Sequence, residues 1–497
     1  MLDPVRRRHA AYRGLQHGAR GGNDGFLHGL RRAMDRGARN SPLQEPLPVR
    51  LGRFHPPCRC RRPVRPRPVR RDSGCPAGGS LHAQFRHAHL GGHGARHLAS
   101  QSGPHLLYSA NSKSRSRPMA ELPVLELGDD PRERGLVHGR ALRTQITENI
   151  DTYLARFAAG GLDAETARKE GEKWAGVMGE QNANYAEEMA GIAEGSELPL
   201  GDISMLNARY EITFGLFGDE AKANDKSDLS VEADGCSTFG ALPEATASGH
   251  TLLGQNWDWL AGVHERCAVL RITRSNGPNI LCYTEAGIVG GKMGVNEHGI
   301  GLVENGLVSD HDGRNPYEKP FHMRCREILD ADTYDMALLP ITATKRVCSA
   351  NFVVGHADGE IIDIETSPDA VSYLYPRDGL VTHSNHFMDP RHGPSQMERI
   401  STSTLYRANR LDRLLRAHVG KIEDEVIKAA LADHFGYPNA ICRHPDERQP
   451  VAKRTMTNAA FIFDLNARTM LVANGPPCTY PWQLLTLDGE AVSEAAE

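Results

Sequence analysis

From Asp130 to Ala159, apolar residues recur at helical spacing at Leu136, Leu142, Ile146, Ile150, Tyr153, Leu154 and Phe157. One face of this segment is therefore apolar, and the pattern predicts a single long amphipathic helix, opened by Asp130-Pro131 and closed by Gly160-Gly161. Further helical stretches are predicted at about 164–178, 181–194 and 201–214, so the chain before residue 216 reads as mostly α. Asp219 to Asp234 offers Lys, Asp, Asn and Ser with almost nothing to bury, and it reads as an exposed loop.

The period then changes. Cys236–Leu242, Thr251–Trp257, Cys267–Thr273, Ile280–Thr284, Lys292–Asn296 and Ile300–Asn305 are short apolar or alternating runs separated by Gly, Asn and Pro, the pattern of antiparallel strands. Helices are expected near 319–330 and 333–340, and strands near 350–356, 360–366, 370–375 and 380–384. Helices near 396–418 and 422–433 come next, followed by strands at about 456–464 and 468–473. Helices segregated from sequential antiparallel strands predict an α+β layered fold.

Composition alters this picture at one end. The chain of 497 residues carries a formal net charge of −4, but that value is a cancellation. Residues 1–118 hold 22 Arg and one Lys against five acidic residues, and 10 of the 23 His, so the leader is strongly basic and the remainder strongly acidic. The leader is crowded with Arg, Pro and Gly and keeps no helix or strand period. It reads as upstream sequence outside the folded protein, with a disordered extension and a nucleic-acid-binding arm as the other readings. It holds a single Lys and shows no aromatic stacking pattern, which argues against nucleic acid as a partner. Met119 reads as the working start. No apolar run approaches the roughly 18 residues of a membrane span, so the expectation is a soluble, cytoplasmic protein with no membrane partner. The Cys58-x-Cys60 pair with Cys75 matches no standard ligand spacing, and the seven cysteines beyond Met119 are scattered and odd in number. Free thiols and no metal site are the expectation.

Chemistry centres on Asp234-Gly235-Cys236-Ser237-Thr238-Phe239. A small residue before Cys236 leaves room for its side chain to attack the preceding carbonyl. Were the Gly235–Cys236 bond to break by that N-to-S acyl shift, Cys236 would hold both a thiol and a free α-amine. Such an amine titrates near 7.7–8.0 and can accept the thiol proton, so one residue can supply nucleophile and base. The plainer reading is a buried structural Cys at a strand start.

Gly-Cys-Ser-Thr-Phe is followed by Gly254-Gln255-Asn256-Trp257-Asp258-Trp259. Together with Glu133-Arg134-Gly135, Gly294-Val295-Asn296-Glu297-His298-Gly299, Thr382-His383-Ser384-Asn385-His386-Phe387 and Asn474-Gly475-Pro476-Pro477, these motifs resemble the acyl-coenzyme A:6-aminopenicillanic acid acyltransferase family, self-cleaving N-terminal-nucleophile hydrolases. The resemblance spans nearly all of 119–497 and none of the leader. It implies a four-layer αββα fold with cleavage between Gly235 and Cys236, giving a mostly helical α chain (119–235) that stays with a β chain (236–497). It further implies Cys236 as nucleophile, Asp258 as the active-site carboxylate, Asn385 as an oxyanion donor, and Asn305 and Arg454 as further site residues. Asn305 can equally be the first residue of an Asn-Gly hairpin turn, and Arg454 a surface cation. His250, His383 and His386 read as structural, since the α-amine replaces imidazole as base.

The implied activity is amide hydrolysis or acyl transfer on small N-acyl compounds through an acyl-cysteine, with no cofactor and with coenzyme A thioesters as candidate acyl donors. Ser237 stands where the fungal member has Thr, so a penicillin substrate does not follow. The alternatives are a papain-like Cys-His hydrolase that needs no break at 235–236, and a basic-arm nucleic-acid binder with an inactive hydrolase-like core.

Overall fold

A computed structural model describes residues 121–214 and 235–489; the leader 1–118 and the 219–234 loop expectation lie outside the described residues. Five helices come first: α1 (Pro131–Ala141), α2 (Arg143–Ala159), α3 (Ala164–Gln181), α4 (Ala183–Ser196) and α5 (Leu200–Asn207), with 209–214 helical beyond. Side chains cap three of them, because a helix start leaves backbone N–H groups without partners. Asp130 accepts from Glu133 N–H, Asp163 from Thr166 N–H, and Asn182 from Tyr185 N–H.

The single helix expected over Asp130–Ala159 is in fact two, broken at buried Leu142. Glycines explain the separate course of α1. A Cβ on Gly135 would lie 2.0 Å from the Glu188 carbonyl, and one on Gly191 would lie 2.2 Å from that of Arg132, so α1 and α4 touch backbone to backbone. Such an approach fixes α1 against α4.

Fourteen strands are described: β1 (Val124–Leu127), β2 (Ser237–Ala241), β3 (Leu252–Leu260), β4 (Cys267–Ile272), β5 (Ile280–Glu285), β6 (Met293–Asn296), β7 (Ile300–Gly306), β8 (Ala350–His356), β9 (Glu360–Thr366), β10 (Val371–Leu374), β11 (Leu380–His383), β12 (Thr455–Asp464), β13 (Thr469–Ala473) and β14 (Trp482–Thr486). Four further helices lie among them: α6 (Phe321–Leu329), α7 (Tyr334–Thr342), α8 (Thr404–Arg416) and α9 (Asp424–Leu431). The strands form two sheets, one ordered β1-β4-β5-β6-β7-β8-β9-β10 and the other β11-β2-β3-β12-β13-β14. Neighbours are antiparallel except that β1 runs parallel to β4.

The sheets pack face to face. Helices α6 and α7 lie on the larger sheet, and α8 and α9 on the smaller. Alternation along each strand produces this layering. Leu253 and Phe461 enter the core between the sheets, whereas Phe239, Ala241, Leu252 and Ile462 pack with Leu411, Leu415, Ile427 and Leu431 of α8 and α9. The result is an αββα sandwich, the layering that the sequence motifs lead one to expect. No helix among the described residues is long and apolar enough to cross a membrane.

Candidate active site

Cys236 directly precedes β2, the strand next to the β11 edge of the smaller sheet, and is buried. Because β2 lies between β11 and β3, with β12 beyond β3, residues from three neighbouring strands can converge on it. Thr238 pairs with His383, and continuing that register by two positions places Asn385 opposite Cys236.

On the other side, the Cys236 thiol donates to the Asp258 carbonyl, with Sγ 3.7 Å from the oxygen. The Asp258 side chain is fully buried. Its Oδ1 accepts from Thr457 Oγ1 at 2.6 Å, and its Oδ2 lies 3.4 Å from the Arg443 guanidinium. A buried carboxylate needs such partners to remain charged. The β3–β12 register shifts between Thr457 and Ala459. At this irregularity the Arg443 backbone docks on Thr457, its N–H donating to Thr457 Oγ1 at 2.9 Å and its carbonyl accepting from Thr457 N–H at 3.1 Å.

Two arginines enclose the Gly235–Cys236 peptide. Arg443 lies against Gly235 so closely that a Cβ there would fall 2.2 Å from its Nε, which gives a steric reason for glycine before the cysteine. Arg407, fully buried on α8, donates from Nη1 to the carbonyls of both Gly235 and Cys236 and to Ser237 Oγ at 3.0 Å. Its Nη2 donates to Asn385 Oδ1 at 2.8 Å. With its oxygen held by a guanidinium, the Asn385 amide presents its NH₂ end the other way, where Nδ2 donates to the Gly306 carbonyl at 3.0 Å.

Cys236, Asp258 and Asn385 thus stand in one constellation with the Gly235–Cys236 bond. Asn305 lies beside it, but in β7 opposite Asn351 and not in a hairpin turn. Its Nδ2 donates to Thr238 Oγ1 at 2.8 Å and to Asn351 Oδ1 at 2.7 Å, tying β2 to the larger sheet two residues past Cys236. Arg454 does not join: its guanidinium donates to the carbonyls of Gln449 and Glu447. The guanidinium that meets Asp258 belongs to Arg443.

The three histidines are engaged elsewhere. His250 pairs with Asp464 at 2.8 Å. His383 is fully buried 3.0 Å from Glu365. Burial alone would lower its pKa, but the charges of Asp363 and Glu365 and the hydrogen bond to Glu365 raise it to about 9. His386 bonds to Ser384 and Thr404, and burial lowers its pKa to about 4.

In front of Cys236 is a narrow pocket walled by Tyr210, Phe214, Trp257, Trp259 and Phe321. Charges sit among these rings. Lys292 Nζ lies 3.5 Å from the centre of the Trp257 ring and 3.2 Å from Glu285, while Arg209 covers Trp259 and pairs with Glu285. Burial opposes ionisation of Glu285, yet Arg209 and then Lys292 overcome it and hold its pKa at about 2.

Sequence reasoning missed Arg407 and Arg443. A signal existed for the first, since Thr404, Arg407, Ala408, Leu411 and Leu415 form the buried stripe of α8, and a cation in an apolar phase marks a buried polar duty.

A family profile described as "Acyl-coenzyme A:6-aminopenicillanic acid acyl-transferase" matches residues 245–477. The chain is 30% identical over 379 residues to the "Acyl-coenzyme A:6-aminopenicillanic-acid-acyltransferase 40 kDa form" of Emericella nidulans, an alignment covering 73% of this chain and 97% of the fungal one. It is 24% identical over 387 residues to an uncharacterized protein of Archaeoglobus fulgidus, covering 69% of this chain and 62% of that one. Among solved structures, a mutant of conjugated bile acid hydrolase from Clostridium perfringens aligns at TM-score 0.37 and 11% identity, covering 51% of this chain and 93% of its own. Penicillin V acylase from Agrobacterium tumefaciens aligns at 0.36 and 12%, covering 52% and 89%. The nearly full-length match to the fungal enzyme settles the relationship: the chain belongs to the acyl-coenzyme A:6-aminopenicillanic acid acyltransferase family.

Proposed function

We propose that this chain is a self-processing cysteine amidohydrolase or acyltransferase acting on small N-acyl compounds. The observation that carries the reading is the pair of buried arginines closed on the Gly235–Cys236 peptide, one of them donating to the Gly235 carbonyl. In the first stage the Cys236 sulfur attacks that carbonyl. Negative charge develops on its oxygen against Arg407, the C–N bond breaks, and the nitrogen takes a proton to become the α-amine of Cys236. Water then hydrolyses the Gly235 thioester, leaving the 119–235 chain with a terminal carboxylate and the 236–497 chain with a free thiol and amine.

In the second stage the α-amine accepts the thiol proton as sulfur attacks the substrate carbonyl, and returns it to the departing amine. Asp258, itself paired with Arg443 and Thr457, holds the ammonium form. Asn385 Nδ2 is the donor for the substrate oxyanion. Water or an acceptor amine then takes the acyl group from Cys236. An acyl group on Cys236 would meet the rings of Tyr210, Phe214, Trp257, Trp259 and Phe321 together with the charged Arg209, Lys292 and Glu304, and coenzyme A thioesters are candidate donors because a thiolate leaves readily. The free cysteines of the described residues suit a reducing compartment, the cytoplasm.

The test is intact mass spectrometry of the full chain beside Cys236→Ala, with N-terminal sequencing of any fragment. A fragment beginning at Cys236 that is missing from the variant is the expected result. An unbroken wild-type chain overturns the amine-as-base mechanism.

A further inference from the structure

Away from Cys236, four side chains direct soft or borderline ligand atoms at one point: His434, Cys442, His444 and Cys478. The Sγ atoms of Cys442 and Cys478 are 3.5 Å apart. His444 Nε2 lies 3.6 Å from Cys442 Sγ, 3.4 Å from Cys478 Sγ and 3.2 Å from His434 Nε2. Every pair among the four atoms is within 4.8 Å. Zinc bound tetrahedrally at about 2.3 Å from sulfur and about 2.0–2.1 Å from nitrogen sets its ligand atoms roughly 3.4–3.8 Å apart, depending on the pair. The four contacts match those edges to within a few tenths of an ångström, and the remaining pairs, from His434 to the two sulfurs, lie within 4.8 Å.

We propose that these residues form a Cys₂His₂ site for a single zinc ion. Donor chemistry selects the metal: two thiolates and two imidazoles, without a carboxylate, suit Zn²⁺ and exclude Ca²⁺ and Mg²⁺. Backbone hydrogen bonds set the ligands before any metal arrives. Cys442 N–H donates to Asp433 O, His444 N–H to Pro438 O, and Tyr480 N–H to Pro476 O, each at 3.0 Å. With four protein ligands the site is closed, which makes it structural and not hydrolytic.

Its place in the fold gives it a purpose. Cys442 and His444 flank Arg443, whose side chain runs the other way to Asp258 and Gly235. Cys478 comes from the turn after β13, and His434 from the segment after α9. The metal therefore ties two irregular segments together directly behind the arginine that contacts the reacting peptide. Arg443 itself lies in no helix or strand and its backbone meets β12 only at Thr457, so a zinc cross-link adds a second fastening to the segment that carries it.

The assignment does not rest on the proposed activity, because metal content is measured whether or not the chain is cleaved. Untagged full-length protein, purified without chelator, is analysed by inductively coupled plasma mass spectrometry beside Cys478→Ser and His434→Ala, both changes at exposed positions. About one zinc per chain is expected, falling at least five-fold in each variant. Replacing the zinc with cobalt should give the visible bands of tetrahedral cobalt and a thiolate charge-transfer band that Cys478→Ser weakens. Zinc no higher in wild type than in the variants overturns the proposal. So does an intact mass lower by two hydrogens that reveals a Cys442–Cys478 disulfide in freshly isolated protein.

Discussion

Replacing Arg407 with Lys tests whether the buried guanidinium drives the proposed processing or only fills space. Arg407 donates simultaneously to the Gly235 and Cys236 carbonyls, Ser237 Oγ, Asn385 Oδ1 and Ser403 Oγ. An ammonium keeps the charge, but as a single centre it cannot reach the Gly235 carbonyl and Asn385 Oδ1 together. If it stays near the carbonyls, Asn385 loses its anchor, and one unsatisfied buried acceptor costs about 1–3 kcal/mol. If it moves toward Asn385, the oxyanion forming on Gly235 loses a donor, a loss of roughly 10²–10³ in rate. Cleavage of newly made chain, followed as intact mass against time, is therefore expected to slow at least about 100-fold by the second route. Folding is checked separately by adding Arg407→Lys to the Cys236→Ala background and comparing urea midpoints, since neither chain can be cleaved. Cleavage within about three-fold of wild type together with an unchanged urea midpoint, which neither route allows, would falsify the role given to Arg407.

Two further outcomes follow from the packing and the charges. Gly135→Ala places a Cβ 2.0 Å from the Glu188 carbonyl and 2.7 Å from Ile192 N, so α1 and α4 must separate. Overpacking of this kind costs about 1–3 kcal/mol or more, and an unchanged urea midpoint would show that the helices are not in backbone contact. His383, with a folded pKa of about 9 above its ordinary 6.5, contributes stability that is fully present below about pH 6.5 and is lost as pH rises through 9. In His383→Gln that decline should disappear, so the stability gap between wild type and variant narrows from pH 6.5 to 9.5. A gap constant across that range would show that His383 is neutral in the folded protein.

How far the sequence reveals the fold depends on what sets each element. Strands β2 to β9 follow their alternation almost residue for residue, because both sheet faces are covered and register is forced by burial. The short edge strands β1 and β14 were missed. Edge strands are half exposed and carry little alternation; β1 takes its place from parallel pairing with β4, a partner distant in sequence. The helix expected at 396–418 is Thr404–Arg416, preceded by a single turn at Met397–Arg399. Met397 and Ile400 keep the helical phase, but the hydroxyls of Ser401 to Thr404 have other partners. Thr404 Oγ1, for one, accepts from Asn385 N–H. A hydroxyl run gives the backbone an alternative to the helix, and here that alternative supports the loop bearing Asn385.

The site divides along the same line. Cys236, Asp258 and Asn385 stand on or beside strands, where register alone brings them together, and a motif spaced along the sequence can report a register. Arg407 reaches the same point from a helix and Arg443 from an irregular segment, so neither has a spacing that points to Cys236. What betrays Arg407 is the wrong polarity at a buried phase: a guanidinium on the stripe of Thr404, Ala408, Leu411 and Leu415 must find acceptors inside the protein or unfold it. Arg443 lacks even that signal, since residues 440–445 keep no period. Cys442 and His444 escape for the same reason, their partners lying at His434 and Cys478 on separate segments. Chemistry borne by regular elements is thus legible as spacing, and chemistry borne by a single charge in an apolar phase as a violation of pattern. Chemistry borne by irregular chain becomes visible only when folding brings the segments together, and those are the segments a bound metal would have reason to fasten.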